Sequence, residues 1–172
     1  MVLQTAGGGY IKGMNQETEG KSDAVGRRLA EIFEAWRSCD SFYLKLVRQW
    51  GISLNTVWAL EYLDKHPDGV EPAVLAEDTH MLRQTITVVL NDLEGRGYLS
   101  REFQSRDRRR KIVRLTAEGA AFSRKVLAEI SAAEQSAAAC LTEEEQRRLL
   151  EYSRRFSQEF ARKVNESILR GE

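Results

Sequence analysis

Ser105-Arg106-Asp107-Arg108-Arg109-Arg110-Lys111-Ile112-Val113-Arg114-Leu115-Thr116 decides the reading of this 172-residue chain. It is a short arginine-rich tip that runs into a β-branched segment and ends on a helix-capping threonine. Between Arg96 and Arg114 stand eight basic residues and two acidic ones, Glu102 and Asp107. The local balance is +6 in a chain whose total is zero, so the remainder carries −6. Positive charge gathered in this way suits a polyanion. The neutral total argues against indiscriminate coating of nucleic acid and leaves room for one basic edge.

Residues 98–104 and 111–115 bracket the tip as the strands of a β-hairpin. The alternation of Tyr98, Ser100 and Glu102 with Leu99, Arg101 and Phe103 is imperfect. Upstream, Arg83 to about Glu94 has a helical stripe of Ile86, Val89, Leu90 and Leu93, and Gly95 and Gly97 terminate it. A shorter helix from Pro72 to Asp78 precedes it across a break of a few residues, which together make a helix-turn-helix. A hairpin placed directly after such a pair is a wing.

Further out, Leu29, Ile32, Phe33, Trp36, Cys39, Tyr43, Leu46 and Trp50 share one face of a long helix that Gly51 ends. Ser53 or Asn55 caps the next, with Val57, Leu60 and Leu63 inside, and Pro67-Asp68-Gly69 is a turn. Beyond the tip, Thr116 caps a helix with Phe122, Val126, Leu127 and Ile130. Thr142 and Glu145 form a capping box. A final helix carries Leu149, Tyr152, Phe156, Phe160, Val164 and Ile168 at spacings of three and four. The terminal helices lie outside a compact winged helix, so their apolar faces call for a second copy of the chain.

The expected fold class is mainly α with a small β-hairpin wing, a winged helix-turn-helix flanked by N- and C-terminal dimerisation helices. The expected boundaries are a flexible lead-in over 1–22 and an N-terminal dimerisation helix over 23–52. The DNA-binding domain follows over 53–116, then C-terminal dimerisation helices over 117–172. Gly20-Lys21-Ser22 is no phosphate loop, because Asn15 stands where the first glycine belongs and no strand precedes it. Met1 to Gly20 lacks the order of a signal peptide and no apolar run reaches membrane-spanning length, so a cytoplasmic location is expected.

The second helix of a helix-turn-helix enters the major groove. Its early side chains here are Arg83, Gln84, Thr85, Thr87, Val88 and Asn91. Arg83 suits guanine, Gln84 or Asn91 adenine, and a threonine methyl thymine. The charged hairpin can then reach the neighbouring minor groove, where a narrow A·T-rich form attracts arginine. Basic residues that miss the groove can hold phosphate.

Leu75-Ala76-Glu77, Arg83-Gln84-Thr85-Ile86-Thr87, Leu93-Glu94, Gly97-Tyr98-Leu99 and Arg101 stand in order, followed by Asp107-x-Arg109-x5-Leu115-Thr116-x2-Gly119. This resembles the MarR family of winged-helix transcriptional regulators over roughly residues 25–168. The resemblance implies a homodimer on a pseudo-palindromic double-stranded operator, with the interface built from the terminal helices. It implies Arg109 as the wing arginine of the minor groove and Asp107 as its orienting neighbour, with Arg106, Arg108, Arg110 and Lys111 left for phosphate. It also implies release of DNA by a small aromatic or anionic effector, for which Trp36, Tyr43, Arg48, Trp58 and Tyr62 are the candidate lining. The chain departs from the family pattern at His80, where glycine is usual, at Leu82, where a small cap is usual, and at Val88, which is often basic.

Cys39 lies on an apolar helix face and reads as a buried thiol, whereas Cys140, before the Thr142 cap, is the better redox candidate. His66 and His80 are the only histidines and share no ligand spacing with the cysteines, so neither a metal nor a cofactor is expected. No catalytic constellation can be assembled. The sequence therefore points to a ligand-responsive, DNA-binding repressor, the alternative being a winged-helix protein-interaction module that does not bind DNA.

Overall fold

The computed structural model describes residues 16–104 and 107–170, with side chains over 23–102 and 111–170. The elements run α1 (Gln16–Arg48), α2 (Leu54–Lys65), α3 (Pro72–Asp78), α4 (Arg83–Gly95), β1 (Leu99–Gln104), β2 (Asp107–Leu115), α5 (Ala117–Ala138) and α6 (Glu143–Arg170). This is the mainly helical chain with one antiparallel hairpin that the periodicities predict. The contacts divide it into two compact units, 1–54 and 55–172. The winged helix and the helices that follow it fall in the same unit.

The first unit is α1. It begins at Gln16, inside the stretch expected to be a lead-in, because Gln16, Glu17, Glu19 and Lys21 favour helix and the single Gly20 does not break it. Phe33 meets Trp36 edge-to-face at 5.4 Å, and Lys45 lies 5.3 Å from the Phe42 ring centre. Cys39 is exposed, against expectation. Its stripe neighbours Ile32 and Trp36 are exposed too, since the chain alone leaves this face uncovered.

In the second unit the core gathers Leu60 and Leu63 of α2, Leu75 of α3, Ile86, Leu90 and Leu93 of α4, Val113 of β2 and Val126 of α5. The buried Ser123 hydroxyl of α5 donates to the Leu60 carbonyl at 3.4 Å and so ties α5 to α2. Thr142 and Glu145 make the expected capping box at the start of α6. No residue of α6 is buried, and Leu149, Tyr152, Phe156, Phe160, Val164 and Ile168 all stand exposed. No helix among the described residues is long and apolar enough to cross a membrane.

Three helices end in the same way. After α1, α3 and α4 a residue takes a left-handed backbone, at Gly51 (φ 61°), His80 (φ 54°) and Gly97 (φ 75°). In each case its N–H and the next one fold back onto carbonyls of the last turn. His80 N–H donates to Glu77 and Met81 N–H to Ala76; Gly97 N–H donates to Glu94 and Tyr98 N–H to Leu93. This is the Schellman arrangement, which satisfies carbonyls that the helix itself leaves open. Gly95 stays helical, so Gly97 alone supplies the left-handed turn after α4.

Candidate nucleic-acid interface

The turn from α3 to α4 is set by His80. One residue in left-handed conformation redirects the chain, and Leu82 enters α4 with extended backbone and no side-chain cap. The first-turn amides of α4 therefore have no side-chain acceptor from Leu82. They carry the partial positive end of the helix dipole.

On α4, Ile86, Val89, Leu90 and Leu93 are buried. Arg83, Gln84, Thr87, Val88 and Asn91 are exposed, and Thr85 is half-buried. Gln84, Thr87, Val88 and Asn91 follow the helical spacing of three and four and so share one outward stripe. Val88 is 68 % exposed in the middle of it. The sequence places Val88 among the groove-facing side chains and also marks it as a departure from pattern; its exposure agrees with that placement. The Thr87 hydroxyl donates to the Arg83 carbonyl at 2.8 Å.

β1 and β2 pair antiparallel, with Leu99 opposite Leu115, Arg101 opposite Val113 and Phe103 opposite Lys111. Directly opposed residues share a face, so Arg101 stands on the inner side with buried Leu99 and Val113. There it meets α4. Its Nη2 donates to Asn91 Oδ1, and its Nε lies 3.0 Å from Glu94 Oε2, close enough for an ion pair although the N–H is not aligned for a hydrogen bond. This explains the imperfect alternation: a polar residue on the buried face is compensated by polar partners across from it. On the outer face Arg114 reaches the Asp68 carbonyl at 3.2 Å and comes within 3.6 Å of Glu102.

The wing has a third participant that the sequence did not reveal. Val70 bridges Val113, with N–H to carbonyl distances of 3.0 and 2.9 Å in the two directions. Gly69 before it has φ 88°, and a Cβ there would lie 2.5 Å from Ile112 Cγ2 and 3.0 Å from the Val113 carbonyl oxygen. A one-residue bridge has no period to detect. At the other end Thr116 closes the hairpin: its N–H donates to Tyr98, its hydroxyl donates to Gly97 at 2.8 Å and accepts from Gly119 N–H at 3.0 Å. Gly119 sits so close that a Cβ would fall 1.9 Å from the Tyr98 carbonyl oxygen. Tyr98 stacks on Phe122 of α5 at 4.5 Å.

The arginine run differs in place from expectation. Asp107, Arg108, Arg109, Arg110 and Lys111 belong to β2, with a register irregularity facing Phe103 and Gln104, so the run is strand and not only connecting tip. Backbone pairing at a solvent-facing end needs no apolar alternation, so a row of charges conceals it. Arg106 lies outside the described residues, as do the side chains of Asp107 to Arg110. Lys111 is exposed.

Of the candidate effector residues, Trp36, Tyr43 and Arg48 stand on α1 in the first unit, and Trp58 and Tyr62 on α2. The Tyr62 hydroxyl donates to the Asp78 carboxylate, a bond that holds its pKa above the ordinary phenol value, and its ring stacks on His66 at 4.1 Å.

Residues 50–110, which contain the turn, α4 and most of the wing, match the MarR family model. The matched segment is the winged helix, which is similar to the MarR family. No curated protein matches the chain in sequence. Among solved structures, the fold resembles a MarR family transcription regulator at 18 % identity and TM-score 0.76, over 88 % of this chain and 99 % of that one. It resembles MepR of Staphylococcus aureus, solved in complex with DNA, at 20 % identity and TM-score 0.67, over 76 % and 96 %. It also resembles PcaV of Streptomyces coelicolor, solved with its natural ligand, at 25 % identity and TM-score 0.61, over 72 % and 89 %. The chain shares the fold of these regulators, with α4 as the second helix of the helix-turn-helix and β1–β2 as the wing hairpin.

Proposed function

We propose that the protein is a sequence-specific, DNA-binding transcriptional repressor of the cytoplasm that acts as a homodimer on a pseudo-palindromic operator and responds to a small aromatic or anionic effector. The observation that carries the reading is the outward stripe of α4 beside a hairpin whose β2 holds four consecutive cations, Arg108 to Lys111. Both belong to one compact unit. Arg83, Gln84, Thr85, Thr87 and Asn91 read bases in the major groove. Arg109, oriented by Asp107, enters the minor groove, and Arg106, Arg108, Arg110 and Lys111 hold phosphates. The DNA complex of MepR and the ligand complex of PcaV support the DNA and effector parts by analogy.

Fluorescence polarisation with duplexes from the DNA upstream of its own gene tests this. Site-selective, salt-sensitive binding is expected. Arg83→Ala should lose about 1–3 kcal/mol of discrimination at one base pair. Arg109→Ala should weaken binding, and Lys111→Ala, which removes a phosphate contact, should reduce the salt slope by about one. Equal affinity for unrelated duplexes, or unchanged binding by Arg109→Ala, would refute the mechanism. Capture of a stoichiometric protein partner that DNA fails to displace would favour an interaction module instead.

A further inference from the structure

We propose that Asn91 reads a hydrogen-bond acceptor on its base, because Arg101 sets a cation against the amide oxygen and so favours the donor end for the groove. The inference deepens the DNA-binding reading and rests on it. Arg101 comes from the inner face of β1, where Leu99 and Val113 are buried, and its guanidinium lies across α4. Nη2 donates to Asn91 Oδ1. A guanidinium has no acceptor, so the contact fixes which end of the amide faces it. Glu94 is one helical turn beyond Asn91 and pairs with the same guanidinium through Nε at 3.0 Å. The arginine is thus held from two sides of one α4 face.

Asparagine recognises adenine by accepting from N6 and donating to N7 at once. Here one of the oxygen's two lone pairs is taken by a cation, and the guanidinium charge beside the other opposes a second N–H donor such as adenine N6. The positive charge beside it also polarises the amide, which strengthens its N–H groups as donors. Guanine gives such a group two acceptors, O6 and N7, and thymine gives O4 with no amino group beside it. Adenine offers N7 alone beside an amino group that meets it donor to donor, and cytosine offers no acceptor. Arg101 is a positioning residue, which sets the identity of the base without touching it.

Selection from randomised duplexes by the full-length protein tests the assignment. Asn91→Ala identifies the base pair that depends on Asn91, and guanine or thymine is expected there in the wild-type site, preferred about tenfold. Arg101→Met frees the oxygen and should move that preference toward adenine, with other positions unchanged. Should Arg101→Met fail to fold, Asn91→Asp keeps a partner for Arg101; it should lose discrimination at this base pair without gaining cytosine. Adenine at the wild-type position, an unmoved preference in Arg101→Met, a tenfold gain of cytosine in Asn91→Asp, or no position relaxed by Asn91→Ala would each overturn the inference. Absence of site-selective binding by the wild type would instead remove the DNA-binding reading beneath it.

Discussion

His80 is the one non-glycine residue with positive φ among the described residues, and it sits where two other helix ends place glycine. A Cβ in left-handed backbone costs about 1–2 kcal/mol, part of which glycine returns through its freer unfolded chain. His80→Gly should therefore stabilise the second unit by about 0.5–1 kcal/mol in urea unfolding. Gly119 makes the opposite case. Its φ is ordinary and its importance is steric, since an added Cβ would overlap the Tyr98 carbonyl oxygen. Gly119→Ala should destabilise by about 2 kcal/mol, on the scale of overpacking in a tight contact, as a drop in the unfolding midpoint. Both positions were visible in the sequence, His80 as a departure and Gly119 as the end of the wing motif. Their reasons were not, because each depends on a backbone geometry that residue names do not encode.

At the scale of elements, α5 and α6 were legible because their apolar spacing and caps agree, whereas α3 and α4 were legible from Pro72, the apolar stripe and Gly97 without a side-chain cap. Thr116 and Thr142 cap the helices at which they were expected. The wing was legible as charge and less so as strand. Its inner face carries Arg101, whose partners Asn91 and Glu94 are ten and seven residues back, beyond any local pattern. The exposed Cys39 was misread as buried because an amphipathic face announces burial without saying by what. The α6 capping box has a pH consequence. The Glu145 carboxylate accepts from the Thr142 N–H and hydroxyl, both at 2.8 Å, and this holds its pKa below the ordinary 4.5. A lowered folded pKa gives stability that is full above the ordinary glutamate value and is lost as pH falls through the lowered one. Helical circular dichroism from α6 should decline over that acid window, and Glu145→Gln should remove that part of the decline.

For the whole molecule, the apolar face of α6 is left uncovered among the described residues. Phe156 and Phe160 lie 6.0 Å apart between ring centres and are exposed together with Tyr152 and Val164. A charge on that face should be tolerated by a monomer and not by a dimer packed through it. If the proposed homodimer packs through this face, the wild type sediments at twice the chain mass and Phe156→Asp at the single chain mass, with the helical content of residues 55–130 kept. A wild type that sediments at the single chain mass, or a variant that sediments as a dimer, would refute that packing.

The Val70–Val113 bridge grades the hairpin along its length. At the foot, β2 is bonded on both edges, to β1 and to Val70, and Leu99 and Val113 beside it are buried. Beyond Ile112 only β1 accompanies it. Amide hydrogen exchange follows the cheapest opening that frees each bond. The N–H groups of Val70 and Val113 should thus exchange as slowly as those of the Leu90 and Leu93 turn, at the rate of global unfolding. Protection should then fall residue by residue outward through Lys111. A hairpin built this way has a root that opens only with the core, while each described residue outward through Lys111 opens at lower cost.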